Sequence, residues 1–151
     1  QATNLRRNGA VRWWIRTWNA AAAGPWSDAM NFTLAAVPPG PAALIAPSGT
    51  LTDSTPTYQW QGIANASWYY LWVDDALGTR VQQWYSAAQA GCAGGRGLCA
   101  VTPGTALSQG DGRWWIQTWN AGGYGPWSNP TDFTVLGTGA ITSIFEHRRA
   151  R

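Results

Sequence analysis

Lysine is absent from this 151-residue chain, and histidine and methionine occur once each. Charge is scarce at 11%, and no apolar run approaches the ~18 residues that a membrane-crossing helix needs. The one histidine, His147, lies in a basic tail beside Glu146, Arg148 and Arg149, and no Gly-x-Ser-x-Gly elbow occurs. A Ser–His–Asp apparatus therefore has no visible parts. Cysteine is limited to Cys92 and Cys99, without the C-x-x-C spacing or nearby histidine of a metal or redox pair. They enclose a short segment with three glycines that closes easily. An intramolecular disulfide in an exported protein is expected, contributing ~2–3 kcal/mol through chain entropy. There is no initiating Met and no signal-peptide pattern, so the chain is expected to be a piece of something longer.

What is present is tryptophan, 12 in all, within a composition that is 45% hydrophobic and 13% aromatic. A packed core is expected rather than disorder. Eighteen glycines and nine prolines with so little charge point to a turn-rich all-β chain. The net charge of +3 is unevenly spread. Arg6, Arg7, Arg12 and Arg16 against Asp28 make residues 1–36 basic, and Arg148, Arg149 and Arg151 against Glu146 do the same for the tail. The stretch between them is acidic, with Arg80, Arg96 and Arg113 against Asp53, Asp74, Asp75, Asp111 and Asp132. A phosphate-tracking surface needs cations clustered on the folded body, so nucleic acid is not an expected partner. Arginine without lysine, among many Ala and Gly, fits a GC-rich bacterial coding bias better than a function.

The strongest signal is internal. The run Arg12-Trp13-Trp14-Ile15-Arg16-Thr17-Trp18-Asn19-Ala20 recurs as Arg113-Trp114-Trp115-Ile116-Gln117-Thr118-Trp119-Asn120-Ala121. Gly24-Pro25-Trp26-Ser27 and Phe32-Thr33 recur as Gly125-Pro126-Trp127-Ser128 and Phe133-Thr134, always 101 residues on, with 14 identities over positions 12 to 34. That period is too long for a solenoid and is that of tandem whole domains. Residues 1–36 are therefore expected to be the closing hairpin of one repeat, 37–136 a complete repeat, and 137–151 an unrelated tail, disordered or foreign. Ile141, Ile144 and Phe145 of that tail would line one helical turn.

Val37-Pro38-Pro39-Gly40-Pro41 reads as a stiff linker. After it, strands are expected at 42–46, 57–60, 67–73, 79–85, 98–101, 113–120 and 131–136, separated by Gly, Pro, Asn, Asp and Ser clusters. Seven short strands in about 100 residues indicate an antiparallel two-sheet sandwich. The stretch from Trp114 to Ser128 resembles the F–G hairpin of fibronectin type III domains, with alternating apolar residues, an Asn, a glycine turn and a Pro-x-Ser-like start to the last strand. In that resemblance Trp60 takes the place of the buried tryptophan of strand B, and 66–73 that of strand C. Gly112 and Trp114 depart from it, because a tyrosine is usual there. There is no Arg-Gly-Asp tripeptide, so an integrin role is not implied. The fold itself says little of function.

Strand alternation, combined with this resemblance, buries Trp114, Ile116 and Thr118 and turns Trp115, Gln117 and Trp119 outward. It likewise buries Tyr69, Leu71 and Val73 and exposes Trp68, Tyr70 and Trp72. With Trp84 or Tyr85 from the next strand, the outward residues are expected to form one aromatic surface, and such surfaces mark interaction sites. Three readings of it stay open. Planar rings can stack on sugars, with Gln117, Gln82 or Asp74 taking hydroxyls. The series Arg12, Trp14, Arg16, Trp18 can form a structural cation–π ladder. The surface can also be a protein contact. The incomplete hairpin 9–36 is expected to dock on the complete domain or to pair with a second chain as a homodimer.

An enzyme reading has Asp74, Asp75 and Asp111 as candidate carboxylates for a glycosidase or esterase; Asp74 and Asp75 are adjacent on a strand and point opposite ways, and Asp111 or Asp53 would have to supply the second acid. Asp74, Asp75 and Asp111 are also the only candidate calcium ligands, without EF-hand spacing. Asn31-Phe32-Thr33 and Asn65-Ala66-Ser67 match the glycosylation sequon. The expected whole is a carbohydrate-associated binding or spacer module of a large secreted or surface bacterial protein. It carries no cofactor, no metal and no membrane contact, with Trp68, Tyr70, Trp72, Trp84, Trp115, Gln117 and Trp119 on its ligand face.

Overall fold

The computed structural model describes residues 9–137, and the chain divides into two compact units, Gln1–Val37 and Pro38–Arg151. His147, the acid beside it and the tail turn at 141–145 lie outside the described residues. All regular structure is β, with no helix among the described residues.

The first unit is one interrupted hairpin. Strands β1 (Gly9–Trp13) and β4 (Met30–Leu34) pair antiparallel, and β2 (Arg16–Trp18) pairs with β3 (Ala23–Trp26). Where the strands break, Ile15 N donates to Ser27 Oγ at 3.0 Å and Ser27 N donates to Ile15 O at 2.9 Å. At the tip, Asn19 Oδ1 accepts from Ala21 N and Ala22 N, the local bonding that suits Asn to turns.

The second unit carries nine strands: β5 (Leu44–Ala46), β6 (Gly49–Leu51), β7 (Tyr58–Gln61), β8 (Trp68–Asp75), β9 (Gly78–Ser86), β10 (Leu98–Val101), β11 (Gly110–Asn120), β12 (Gly123–Trp127) and β13 (Thr131–Val135). Two of these exceed the seven expected. Gly123-Tyr124-Gly125 reads as turn, yet β12 pairs with the far half of β11 while β13 pairs with the near half. The closing strand is thus split at Ser128-Asn129-Pro130, because Pro130 has no N–H to donate. The other addition, β6, runs parallel to β13, and the chain reaches it from the opposite sheet across a cis Ala46–Pro47 peptide.

One sheet has the order β10-β7-β5 and the other β6-β13-β11-β8-β9. Their inner faces meet as the expected sandwich. Tyr69, Leu71 and Val73 of β8 and Trp114, Ile116 and Thr118 of β11 are fully buried, opposite Tyr58, Trp60 and Cys99. Rings interlock between the sheets, Tyr58 against Trp114 at 5.2 Å and Trp60 against Tyr69 at 5.3 Å. Edge-to-face and tilted pairs at such spacings add to burial. Trp114 satisfies its indole by donating to Pro47 O at 2.9 Å. Gly112, where a tyrosine was usual, has the Phe133 ring above it, and a Cβ there would sit 2.4 Å from that ring.

Cys92 and Cys99 are joined, with Cα atoms 4.9 Å apart, and both are buried. The proline segment is less free than a linker. Pro39 is buried and Gly40 O accepts from Thr118 Oγ1 at 2.9 Å, so the segment packs along β11.

The two hairpins have the same construction. Gly9 opposes Leu34 as Gly110 opposes Val135, and Arg16 opposes Trp26 as Gln117 opposes Trp127. The serine tether recurs as Ile116 N to Ser128 Oγ at 3.0 Å. The difference is cover. Trp114 and Ile116 are 0% exposed, whereas their equivalents Trp13 and Ile15 are 46% and 59% exposed.

Candidate functional site: an aromatic face on the larger sheet

The outward side chains of β8, β9, β11 and β12 share one face. Cross-strand register sets Trp115 opposite Trp72, Gln117 opposite Tyr70 and Trp119 opposite Trp68. On the far side of β8, Tyr70 opposes Trp84, and on the far side of β11, Gln117 opposes Trp127 and Trp119 opposes Tyr124. Directly opposed side chains are the pairs that interact in a sheet. One row thus reads Trp84, Tyr70, Gln117, Trp127, with a single non-aromatic member.

Gln117 stays low because its Nε2 donates to Gly125 O at 3.3 Å. The rings on either side close over it. Tyr70 stacks on Trp84 at 4.8 Å and 28°, and lies 6.0 Å from Trp127. Trp127 meets Trp72 at 6.2 Å and 81°, and Tyr124 reaches Trp84 at 6.2 Å. Trp72 is pinned further, its Nε1 donating to Asp74 Oδ1 at 2.8 Å. Beside these rings lies a shallow cleft of about 510 Å³ bordered by Trp72, Asp74, Trp115, Trp127 and Ser128.

Of the seven residues expected on this face, Tyr70, Trp72, Trp84, Trp115 and Gln117 fall within the ring cluster or its cleft. Trp68 and Trp119 oppose each other one step nearer the end of the sheet, with Trp68 39% exposed. Tyr124 and Trp127 are additions to that face: Tyr124 lies in the glycine stretch read as turn, and Trp127 only at the start of the closing strand. Pairing the hairpin through its repeated Trp26 and Trp127 positions is the signal that finds them.

Asp74, Asp111 and Asp132 lie on the same side of the sheet as the rings, whereas Asp75 alternates inward and is buried. Asp74, Asp75, Asp111 and Asp132, with Arg113 and Trp115, border an adjoining depression. Asp75 accepts from Leu77 N at 2.8 Å and Ser108 N at 2.7 Å and pairs with Arg80 Nε at 3.1 Å. Burial pushes its carboxyl up, but the two backbone donors and Arg80 outweigh that and hold it below the ordinary range. It is a loop tether, ionised at neutral pH. Asp111 accepts from Thr134 Oγ1 at 2.7 Å, and Asp132 pairs with Arg113, which lowers the acid and raises the guanidinium. Among the described residues no group of three His, Cys, Asp or Glu is placed to hold a metal ion.

The arginine–tryptophan ladder has one rung among the described residues. Arg16 lies 5.5 Å from the Trp26 ring, while Arg12 Nε donates to Asn31 Oδ1 at 2.8 Å. The rung crosses the hairpin instead of climbing it, because Trp26 stands directly opposite Arg16 and same-strand neighbours on one face are about 7 Å apart.

No family model matches this chain, and no curated protein does. Solved structures do match. One is the chicken CNTN1 FN1–FN3 domains, at 12% identity and a TM-score of 0.42, covering 89% of this chain and 45% of that one. Another is domains A168–A170 from titin, at 11% identity and a TM-score of 0.39, covering 90% of this chain and 51% of that one. This chain thus spans about half the length of each.

Proposed function

We propose that residues 38–137 are a non-catalytic module that binds polysaccharide through the outward face of the larger sheet. The supporting observation is the ring cluster of Tyr70, Trp72, Trp84 and Trp127, extended by Tyr124. Its members hold one another at fixed angles and leave Trp84 37%, Trp127 41% and Tyr124 64% exposed. Preset planar rings beside a few polar groups, here Gln82, Gln117 and Asp74, are what a sugar ring needs for stacking and orientation. The buried disulfide fits a secreted or cell-surface setting. Titrating intrinsic tryptophan fluorescence with a panel of soluble polysaccharides tests the reading. Saturable quenching by at least one, abolished in Tyr70→Ala and Trp84→Ala, is expected. A flat response across the panel refutes it.

For the first unit we propose pairing with a second copy. Trp13, Ile15 and Phe32 stand 46%, 59% and 40% exposed on the face whose equivalents are buried in the second unit. Sedimentation equilibrium is expected to show a concentration-dependent dimer that Ile15→Asp dissociates, and a strict monomer refutes it.

A further inference from the structure

The cleft beside the rings carries a charge as well as hydrogen-bonding groups, and a neutral sugar uses only the second. A carboxylate, Asp74, sits with three indoles, Trp72, Trp115 and Trp127, and two of those indoles stand at 81° as adjoining walls. The chain's own repeat shows what such an indole takes. In the first unit the guanidinium of Arg16 lies over Trp26, the equivalent of Trp127, and its Nε donates to Gly24 O at 2.8 Å. In the second unit Gln117 stands where Arg16 would, keeps the bond to the equivalent Gly125 O, and brings no charge.

The neighbouring guanidiniums are engaged elsewhere. Arg80 is bonded to Asp75 and to Ala106 O, and Arg113 to Asp132. Asp74 gives Oδ1 to the Trp72 indole, and its Oδ2 has no hydrogen-bond partner among the described residues. With Arg113 and Asp132 cancelling and Arg80 cancelling Asp75, Asp74 and Asp111 leave this side negative.

We propose that this cleft is a binding site for an organic ammonium cation, quaternary or a protonated amine, held on the faces of Trp72, Trp115 and Trp127 with Asp74 as counter-charge. Indole is the strongest cation–π partner among side chains, and a carboxylate at the rim supplies the long-range attraction. The site takes such a group whether it arrives as a free choline-like cation or as the amine of an aminated sugar. It stands independently of the glycan reading, because it requires charge and no sugar ring.

The test titrates the full chain, followed by heteronuclear NMR of the indole N–H signals, at matched ionic strength and a pH where amines are protonated. Tetramethylammonium and choline are expected to saturate the Trp72, Trp115 and Trp127 signals, and 3,3-dimethylbutanol, the neutral isostere of choline, to leave them unmoved. Glucosamine is compared with neutral N-acetylglucosamine. Tighter binding of choline or of glucosamine names the carrier. Asp74→Asn keeps an acceptor for the Trp72 indole and removes the charge, and roughly tenfold weaker binding is expected. Gln117→Arg is expected to place a tethered guanidinium on Trp127, as Arg16 sits on Trp26, and to abolish binding in a chain that folds normally by circular dichroism. Equal affinity for the neutral isostere, or indifference to D74N and Q117R, overturns the proposal. Neutral glycan binding that survives D74N leaves the glycan reading standing in either case.

Discussion

Replacing Asp75 probes how the far end of the larger sheet is held. Its side chain is 1% exposed, and it accepts from Ser108 N, 33 residues away, and from Leu77 N, while Arg80 Nε lies 3.1 Å off. In Asp75→Ala both backbone donors lose their acceptor. Each unmet buried donor costs ~1–3 kcal/mol, with the lower end applying beside exposed Leu77. The partly exposed Arg80 pair adds ~1 kcal/mol or less. The expected loss is about 2–4 kcal/mol, a fall in Tm of about 10–20 °C for a body of this size. Asp75→Asn retains one acceptor and is expected to lose less. The acid dependence supplies an independent check. Because the folded carboxyl is held below the ordinary 3.8, its contribution is complete above the unfolded value and is lost as pH falls through the lower folded one. Urea unfolding from pH 7 down to pH 3 is therefore expected to show a gentler acid-side decline for D75A than for the parent. Asp53 and Asp132, also held low, keep part of that slope. A loss under about 0.5 kcal/mol at pH 7, or an unaltered acid limb, would refute the reasoning.

Three other outcomes follow from local geometry. Ser128→Ala removes the acceptor of Ile116 N at a buried site and is expected to cost about 1–2 kcal/mol in chemical denaturation. Reducing Cys92–Cys99, or replacing both with serine, is expected to lower stability by about 2–3 kcal/mol, because the bridge spans seven residues; an unchanged midpoint in reductant counts against the bridge. Gly95→Ala is expected to shift the thermal midpoint down sharply, since Gly95 has φ +67° and a Cβ there would lie 1.8 Å from Ile63 O.

Much of the second unit was legible before its coordinates. In β8 and β11 the period-2 pattern is carried by large residues on both faces, and burial follows it residue by residue from Trp68 to Asp75 and from Arg113 to Asn120. The repeat marked the hairpin, because identical residues 101 apart have no other simple cause. What escaped was set by distant partners. The first half of β12 is written in turn residues yet pairs with β11, so Tyr124 was missed and Trp127 was read only as a strand start, not as part of the face. Asp75 reads as the end of a strand, and its tethering role depends on Ser108 in another loop. The ladder reading along Arg12–Trp18 has its one described rung across the hairpin for the same kind of reason, since Trp26 stands directly opposite Arg16.

The repeated hairpin has a consequence for how such a chain assembles. Its register-setting bonds are local, Ile116 to Ser128 and Gln117 to Gly125, spanning 12 and 8 residues. The bonds that fasten it to its own body, Trp114 to Pro47 and Thr118 to Gly40, span 67 and 78. Hairpins close in microseconds, whereas distant pairings wait on the search for loop closure. The hairpin's own register is therefore set by bonds that close ahead of the contacts fastening it to its body.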